Sequence, residues 1–179
     1  MPEVSNPPGP EETAVGSYFV ANYPPFSVWS PTALDEATPA PHAPPADVPL
    51  GLYLHIPFCR KRCHFCYFRV YTDKNARQVE EYLNLLTTEW DRYLDQLAIA
   101  GRPLHFVYFG GGTPSFLSPQ QLQRLVAGLT ARTDWNRAAE VTFECEPGTL
   151  SESKLAAIRD FGVTRLSLGV ENFDDRILE

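Results

Sequence analysis

The chain has 179 residues, 44% of them hydrophobic, with a formal charge of −7, 17 prolines and only four cysteines. That is about one domain's worth of sequence, and its acidic balance argues against a nucleic-acid surface. No apolar run reaches the roughly 18 residues of a membrane span, and the start, Met1-Pro-Glu3, lacks the basic segment and apolar core of a secretory signal.

Residues 1–48 read as a Pro-rich, acidic extension. Twelve of the prolines precede residue 50, alongside six acidic residues and no Lys or Arg, so the remainder is close to neutral with 16 acidic against 15 basic residues. Pro-Pro pairs at 7–8, 24–25 and 44–45 oppose regular structure. The aromatic residues Tyr18, Phe19, Tyr23, Phe26 and Trp29 are unusual for a disordered linker, and the stretch is expected to dock on the folded part.

From residue 50 the pattern becomes regular. Leu50–Ile56 is strand-like and closes at Pro57. Residues 74–98 carry Val79, Tyr82, Leu83, Leu86, Trp90, Tyr93, Leu94 and Leu97 at helical spacing, and Gly101 and Pro103 stop that helix. Leu104–Phe109 suits a strand buried on both faces. Ser118-Pro-Gln-Gln121 is a capping box with Pro119 at the first helical position, Leu117 and Leu122 can staple it, and Leu122, Leu125, Val126 and Leu129 form the buried face.

Glu140–Cys145 is a third strand. Thr149 or Ser151 caps a third helix, with Leu155, Ile158 and Phe161 inward and Gly162 past its end. Val163–Gly169 is a fourth strand, and Asp174–Glu179 opens a further helix. The order β-α-β-α-β-α-β-α with short connections predicts an α/β fold with parallel strands. Four βα units do not close a barrel, which typically needs about 250 residues. The fourth strand is therefore left with an open edge, and residues 49–179 are expected to be the N-terminal part of a larger domain or to need a partner.

In such sheets ligands gather at the carboxyl ends of the strands. The first strand runs into Cys59, Cys63 and Cys66; the second ends in Gly110-Gly-Gly-Thr113; the third in Glu144-Cys-Glu146; the fourth in Gly169-Val-Glu171. Three thiols within eight residues, threaded with Arg60, Lys61 and Arg62, have the spacing of an iron–sulfur loop in a reducing compartment, the cytoplasm by default. Zinc is the competitor, with His64, His55 or Cys145 as a fourth ligand. A set of buried free cysteines is the bland alternative.

Three glycines allow close backbone approach to a ligand, although a tight turn needs the same residues. Glu144 and Glu171 suit hydroxyl or ammonium groups, and Tyr53 is either core or ligand. Asp174 and Asp175 favour a helix N-terminus.

Cys59-x₃-Cys63-x₂-Cys66 resembles the signature of the radical S-adenosylmethionine (SAM) enzymes. Tyr53-Leu-His-Ile-Pro-Phe-Cys59, Phe109-Gly-Gly-Gly-Thr-Pro-Ser115, Glu144-Cys-Glu-Pro-Gly-Thr149 and Arg165-Leu-Ser-Leu-Gly-Val-Glu-Asn-Phe173 are similar to the oxygen-independent coproporphyrinogen III oxidase group, which also includes haem chaperones. The resemblance covers about residues 50–179.

It implies a partial parallel (β/α) barrel of the radical SAM type, with four βα units present and the barrel incomplete. It also implies that the three cysteines ligate three irons of a 4Fe-4S cluster, with SAM on the fourth. Cleavage of SAM would then give a 5′-deoxyadenosyl radical that abstracts hydrogen from a small-molecule substrate, a porphyrin relative being one option. Tyr53, Phe65, Gly111, Gly112, Thr113, Glu144 and Glu171 map to the SAM pocket, no further catalytic residue is assigned, and flavodoxin or ferredoxin is the implied electron donor.

Two departures stand out. Glu171 replaces the usual Gln of the oxidases, and Cys66 is followed by Tyr67-Phe68 where they carry Gly-Cys. The aromatic pair is nearer to the chaperone-like branch. A chaperone with little SAM chemistry and a zinc-stabilised interaction domain are the alternative readings.

Overall fold

The computed structural model describes Ser30 and residues 47–66, 68–96, 98–174 and 176. The aromatic stretch of the extension, Tyr67, Leu97 and four of the six residues of the expected helix from Asp174 lie outside the described residues.

Strand β1 (Leu50–Ile56) leads through the cysteine loop to helix α1 (Ala76–Leu94); β2 (Leu104–Gly111), α2 (Pro119–Leu129), β3 (Glu140–Cys145), α3 (Glu152–Asp160) and β4 (Arg165–Leu168) follow. All pairings are parallel and the sheet order is β1-β2-β3-β4. Each unit is laid beside the last without a reversal of direction. That is the winding of a barrel wall rather than of a doubly wound sheet, which turns back at a switch point.

Register places Leu54 beside Phe109, and Phe109 beside Phe143. Side chains alternate across a strand, so Leu54, Ile56, Val107, Phe109, Val141 and Phe143 share the helix-covered face. All six are at most 2% exposed. The Phe109 and Phe143 rings lie 5.3 Å apart, and Trp135 meets Phe109 edge-on while its indole N–H donates to the Phe161 carbonyl at 2.9 Å. Tyr53, Phe106, Tyr108 and Glu144 occupy the opposite face. Phe106 is 44% exposed, so β2 is not buried on both faces as its apolar run predicts.

The helices keep the expected order with shifted ends. The first spans 19 residues rather than 74–98. Asn75 and Gln78 form its capping box, and the helix ends at Asp95 ahead of a series of turns. The Ser118–Gln121 box is present, and Leu117 and Leu122 are both fully buried. Ser151, not Thr149, caps α3. Leu155, expected inward, is 39% exposed, and Lys154 is buried in its place. Strand β4 is shorter than Val163–Gly169; just ahead of it the Thr164 side chain, rather than a backbone carbonyl, accepts the Val141 N–H.

Candidate functional site

Parallel strands bring the four candidate stretches to one edge of the sheet. Beyond β1 the chain makes a closed loop. The Tyr71 N–H donates to the Pro57 carbonyl at 2.8 Å, and the Cys59 N–H to the Tyr71 carbonyl at 3.1 Å. Inside it the Cys66 N–H donates to the Cys63 carbonyl, and Arg62 donates to the Cys66 carbonyl. All four cysteines are free thiols, with Cys63 exposed and Cys59 half-buried. Phe65, in the same loop, is 66% exposed.

The Gly110–Thr113 turn packs directly on this loop. The Gly112 N–H donates to the Ile56 carbonyl at 2.8 Å, the Thr113 N–H to the Phe58 carbonyl at 2.9 Å, and the Thr113 hydroxyl to Cys59 Sγ at 3.3 Å. A Cβ on Gly112 would lie 2.9 Å from Cys59 Sγ and 3.0 Å from the Phe58 carbonyl oxygen. Gly111 has φ +115 and its missing Cβ points at the His55 ring. Sequence reading explains these glycines by approach to a ligand; the structure adds that Gly112 is required by the cysteine loop itself.

Glu144 stands on the open face of β3. One carboxylate oxygen accepts the Tyr108 hydroxyl at 2.7 Å, the other the Gly111 N–H at 3.2 Å. That bond to Glu144, then burial and the carboxylate's charge, pushes the Tyr108 phenol up to about 12. Tyr53 stacks on Tyr108 with ring centres 5.9 Å apart and shares a hydrogen bond with His55 Nδ1. Burial, then Glu144, raises the Tyr53 phenol as well. Burial also raises the Cys59 thiol; the Thr113 hydrogen bond pulls it back, and Cys66, Cys63 and Glu146 push it up again.

Tyr53, Gly111, Gly112, Thr113, Glu144 and Cys59 thus form one connected group. Glu171 follows β4 on exposed ground, with left-handed backbone at φ 57. Cys145 shares the buried face of β3, its Sγ donating to the Phe143 carbonyl at 3.7 Å, and burial pushes its thiol up to about 11. Among the described residues no three His, Cys, Asp or Glu side chains converge on a single-ion position.

The family model of the radical SAM superfamily matches residues 53–179. This chain belongs to the radical SAM superfamily. It is 39% identical over 129 residues to the heme chaperone HemW of Bacillus subtilis, covering 71% of this chain and 33% of that one. The Escherichia coli heme chaperone HemW is 35% identical over 131 residues, covering 73% and 34%. The oxygen-independent coproporphyrinogen III oxidase of Paracoccus denitrificans is 36% identical over 134 residues, covering 74% and 29%. Among solved structures, the E. coli radical SAM enzyme coproporphyrinogen III oxidase (HemN) matches with a TM-score of 0.67 and 31% identity, over 84% of this chain and 33% of that chain. The chain spans about a third of the length of the curated relatives it matches.

Its four-stranded open sheet is accordingly part of a radical SAM barrel, and the family resemblance drawn from the motifs holds. Sequence reading passed over Tyr108, two residues before Gly110, because the register that sets it beside Tyr53 is created by the fold. Arg60, read from the sequence only as one of three basic residues threading the thiols, donates to the Gly148 carbonyl at 3.1 Å and ties the cysteine loop to the turn after β3.

Proposed function

We propose that this chain is the cluster- and SAM-binding part of an enzyme that cleaves SAM reductively and uses the resulting radical on a small-molecule substrate. The observation that carries it is the packing of the cysteine loop on the Gly112–Thr113 turn, one hydrogen-bonded step from Glu144. A 4Fe-4S cluster on Cys59, Cys63 and Cys66 supplies, when bound and reduced, the electron that splits SAM to methionine and a 5′-deoxyadenosyl radical.

The donor set fits that group. Thiolates are the ligands of such clusters, and separate irons take separate thiolates, so the three sulfurs need not meet at one point as for a zinc ion. The Thr113 hydroxyl is placed to donate to a Cys59 thiolate, and Gly112 leaves room for the sulfur. Tyr53, Phe65, Gly111, Gly112, Thr113 and Glu171 line the SAM site. Glu144 is held by Tyr108 and Gly111 with lone pairs left for a ligand's hydroxyl or ammonium group. A flavodoxin- or ferredoxin-type donor in the cytoplasm would provide the electron, and a porphyrin-related substrate follows from the oxidase relatives.

A second reading is favoured by the HemW relatives and by the aromatic residues after Cys66: a haem chaperone of the same group with little SAM turnover. Anaerobic purification of the whole protein decides between them and the zinc reading. About four irons per chain and 5′-deoxyadenosine release on reduction with dithionite are expected, and both should be lost in Cys63→Ala. Iron without release, together with stoichiometric haem binding, would establish the chaperone. Bound zinc in place of iron would overturn both.

A further inference from the structure

Lys154, in the first turn of α3, is only 7% exposed and has no ion-pair partner among the described residues. Its ammonium donates to two backbone carbonyls, Ser115 and, at 2.9 Å, Thr149. These acceptors sit in different loops. Ser115 belongs to the 3-10 turn after the glycine run (Pro114–Phe116), and Thr149 to the one after β3 (Pro147–Thr149).

The two turns are also joined by a closed ring of hydrogen bonds. The Glu146 N–H donates to Ser115 Oγ at 3.0 Å, the Ser115 and Thr149 hydroxyls are bonded to each other, and the Thr149 hydroxyl donates to the Glu146 carbonyl at 2.7 Å. Each hydroxyl has one proton, so Thr149 donating to Glu146 requires Ser115 to donate to Thr149. The ring has one direction only.

A buried cation without a counter-charge is costly. Burial lowers the Lys154 ammonium, and Arg60, close by on the cysteine loop, lowers it further. An apolar side chain of similar length would fill the site at lower cost. What it could not do is hold two loop carbonyls at once, in turns that begin directly after Thr113 and directly after Glu146. Arg60 holds the Gly148 carbonyl between them, so two cations fix the loops following β1, β2 and β3 at one point.

We propose that Lys154 is a positioning residue for the SAM site, clamping the Gly110–Thr113 and Glu144–Thr149 loops in the relation that presents Thr113 to Cys59 and Glu144 to the ligand. Its role at a SAM site rests on the proposed function; the clamp itself does not.

Both are tested on the cluster-loaded whole protein with Lys154→Met and Lys154→Arg. Loss of hydrogen bonds to a charged group, at about 1.5–3 kcal/mol each, corresponds to a change of roughly tenfold or more. The Met variant should therefore show amide exchange faster by that factor at Phe116, Leu117, Glu146, Thr149 and Leu150, with α1 and α2 unchanged. It should also bind SAM about tenfold more weakly at equal iron content, and Arg should restore both. Unchanged loop exchange, or equal acceleration in every element, overturns the clamp. Normal SAM affinity with loosened loops overturns the positioning role. If the wild type binds no SAM, the proposed function fails and the exchange measurement still decides the clamp. Should Met at 154 prevent folding, Lys154→Gln, which is polar but too short to span both carbonyls, is expected to give the same loop and affinity changes, and an unaltered result there is equally decisive.

Discussion

Glu144 has both carboxylate oxygens engaged within the protein, and the stronger contact comes from Tyr108. The Tyr108 phenol ionises at about 12 against an ordinary value of 10.0. A raised value means stability fully present below pH 10.0 and lost as the folded phenol ionises towards about 12. Tyr108→Phe should remove that alkaline loss and cost about 1 kcal/mol at neutral pH, the low end for a bond to a charged group that is partly solvated. Denaturant melts of the two proteins between these pH values test it, and parallel pH profiles would refute the link. At Gly112 the issue is space. Gly112→Ala drives a methyl into Cys59 Sγ and two carbonyl oxygens, so about 1–3 kcal/mol of overpacking is expected, with reduced iron retention measured after anaerobic purification. The sequence displayed the glycines and the cysteines, because few residue types meet those demands. It did not display Tyr108 or Lys154, whose partners are 36 and up to 39 residues away along the chain.

At the scale of the elements, caps decided where helices begin. The Ser118 box was readable because Pro119 marks the first turn. The Asn75–Gln78 box obeys the same chemistry, but the polar residues around it continue the helical period without contrast, so periodicity alone sets the helix start at 74. Asn75→Ala and Ser118→Ala should each lower stability by about 1 kcal/mol and leave the proposed SAM cleavage intact, because the hydrogen bonds of both side chains stay within their own capping boxes. A thermal melt together with a turnover assay checks this; a large loss of turnover from either would tie the helix start to the site. Leu155 shows the opposite failure of hydropathy. Its period points inward, yet the loops beneath α3 present carbonyls that require a donor, and Lys154 takes the buried position. A buried face is chosen by what it must satisfy, and apolar spacing cannot see a hydrogen-bonding demand created by two distant turns.

For the whole molecule the decisive feature is the edge of β4, which has no strand beside it among the described residues. Leu166 is 41% exposed, Leu168 52%, Val170 37% and Phe173 92%, and a groove of about 110 Å³ lined by Leu155, Ile158, Val163 and Leu166 together with Arg159, Thr164 and Arg165 adjoins the start of the strand. This much was legible from counting βα units, since a parallel strand with apolar residues and no neighbour must leave backbone donors and acceptors unpaired. The 179-residue chain on its own should therefore associate increasingly with concentration in sedimentation velocity. Leu168→Lys separates this effect from the fold. The side chain is already half in water, so the substitution should shift stability by no more than about 0.5 kcal/mol. A lysine on an edge, by contrast, obstructs pairing with a second strand. Association that weakens in Leu168→Lys with an unchanged melting temperature places the adhesive surface at β4. Association undiminished by Leu168→Lys would move that surface elsewhere. A sharp concentration-independent melt of the monomeric wild type would show that the open edge is tolerated without a neighbour.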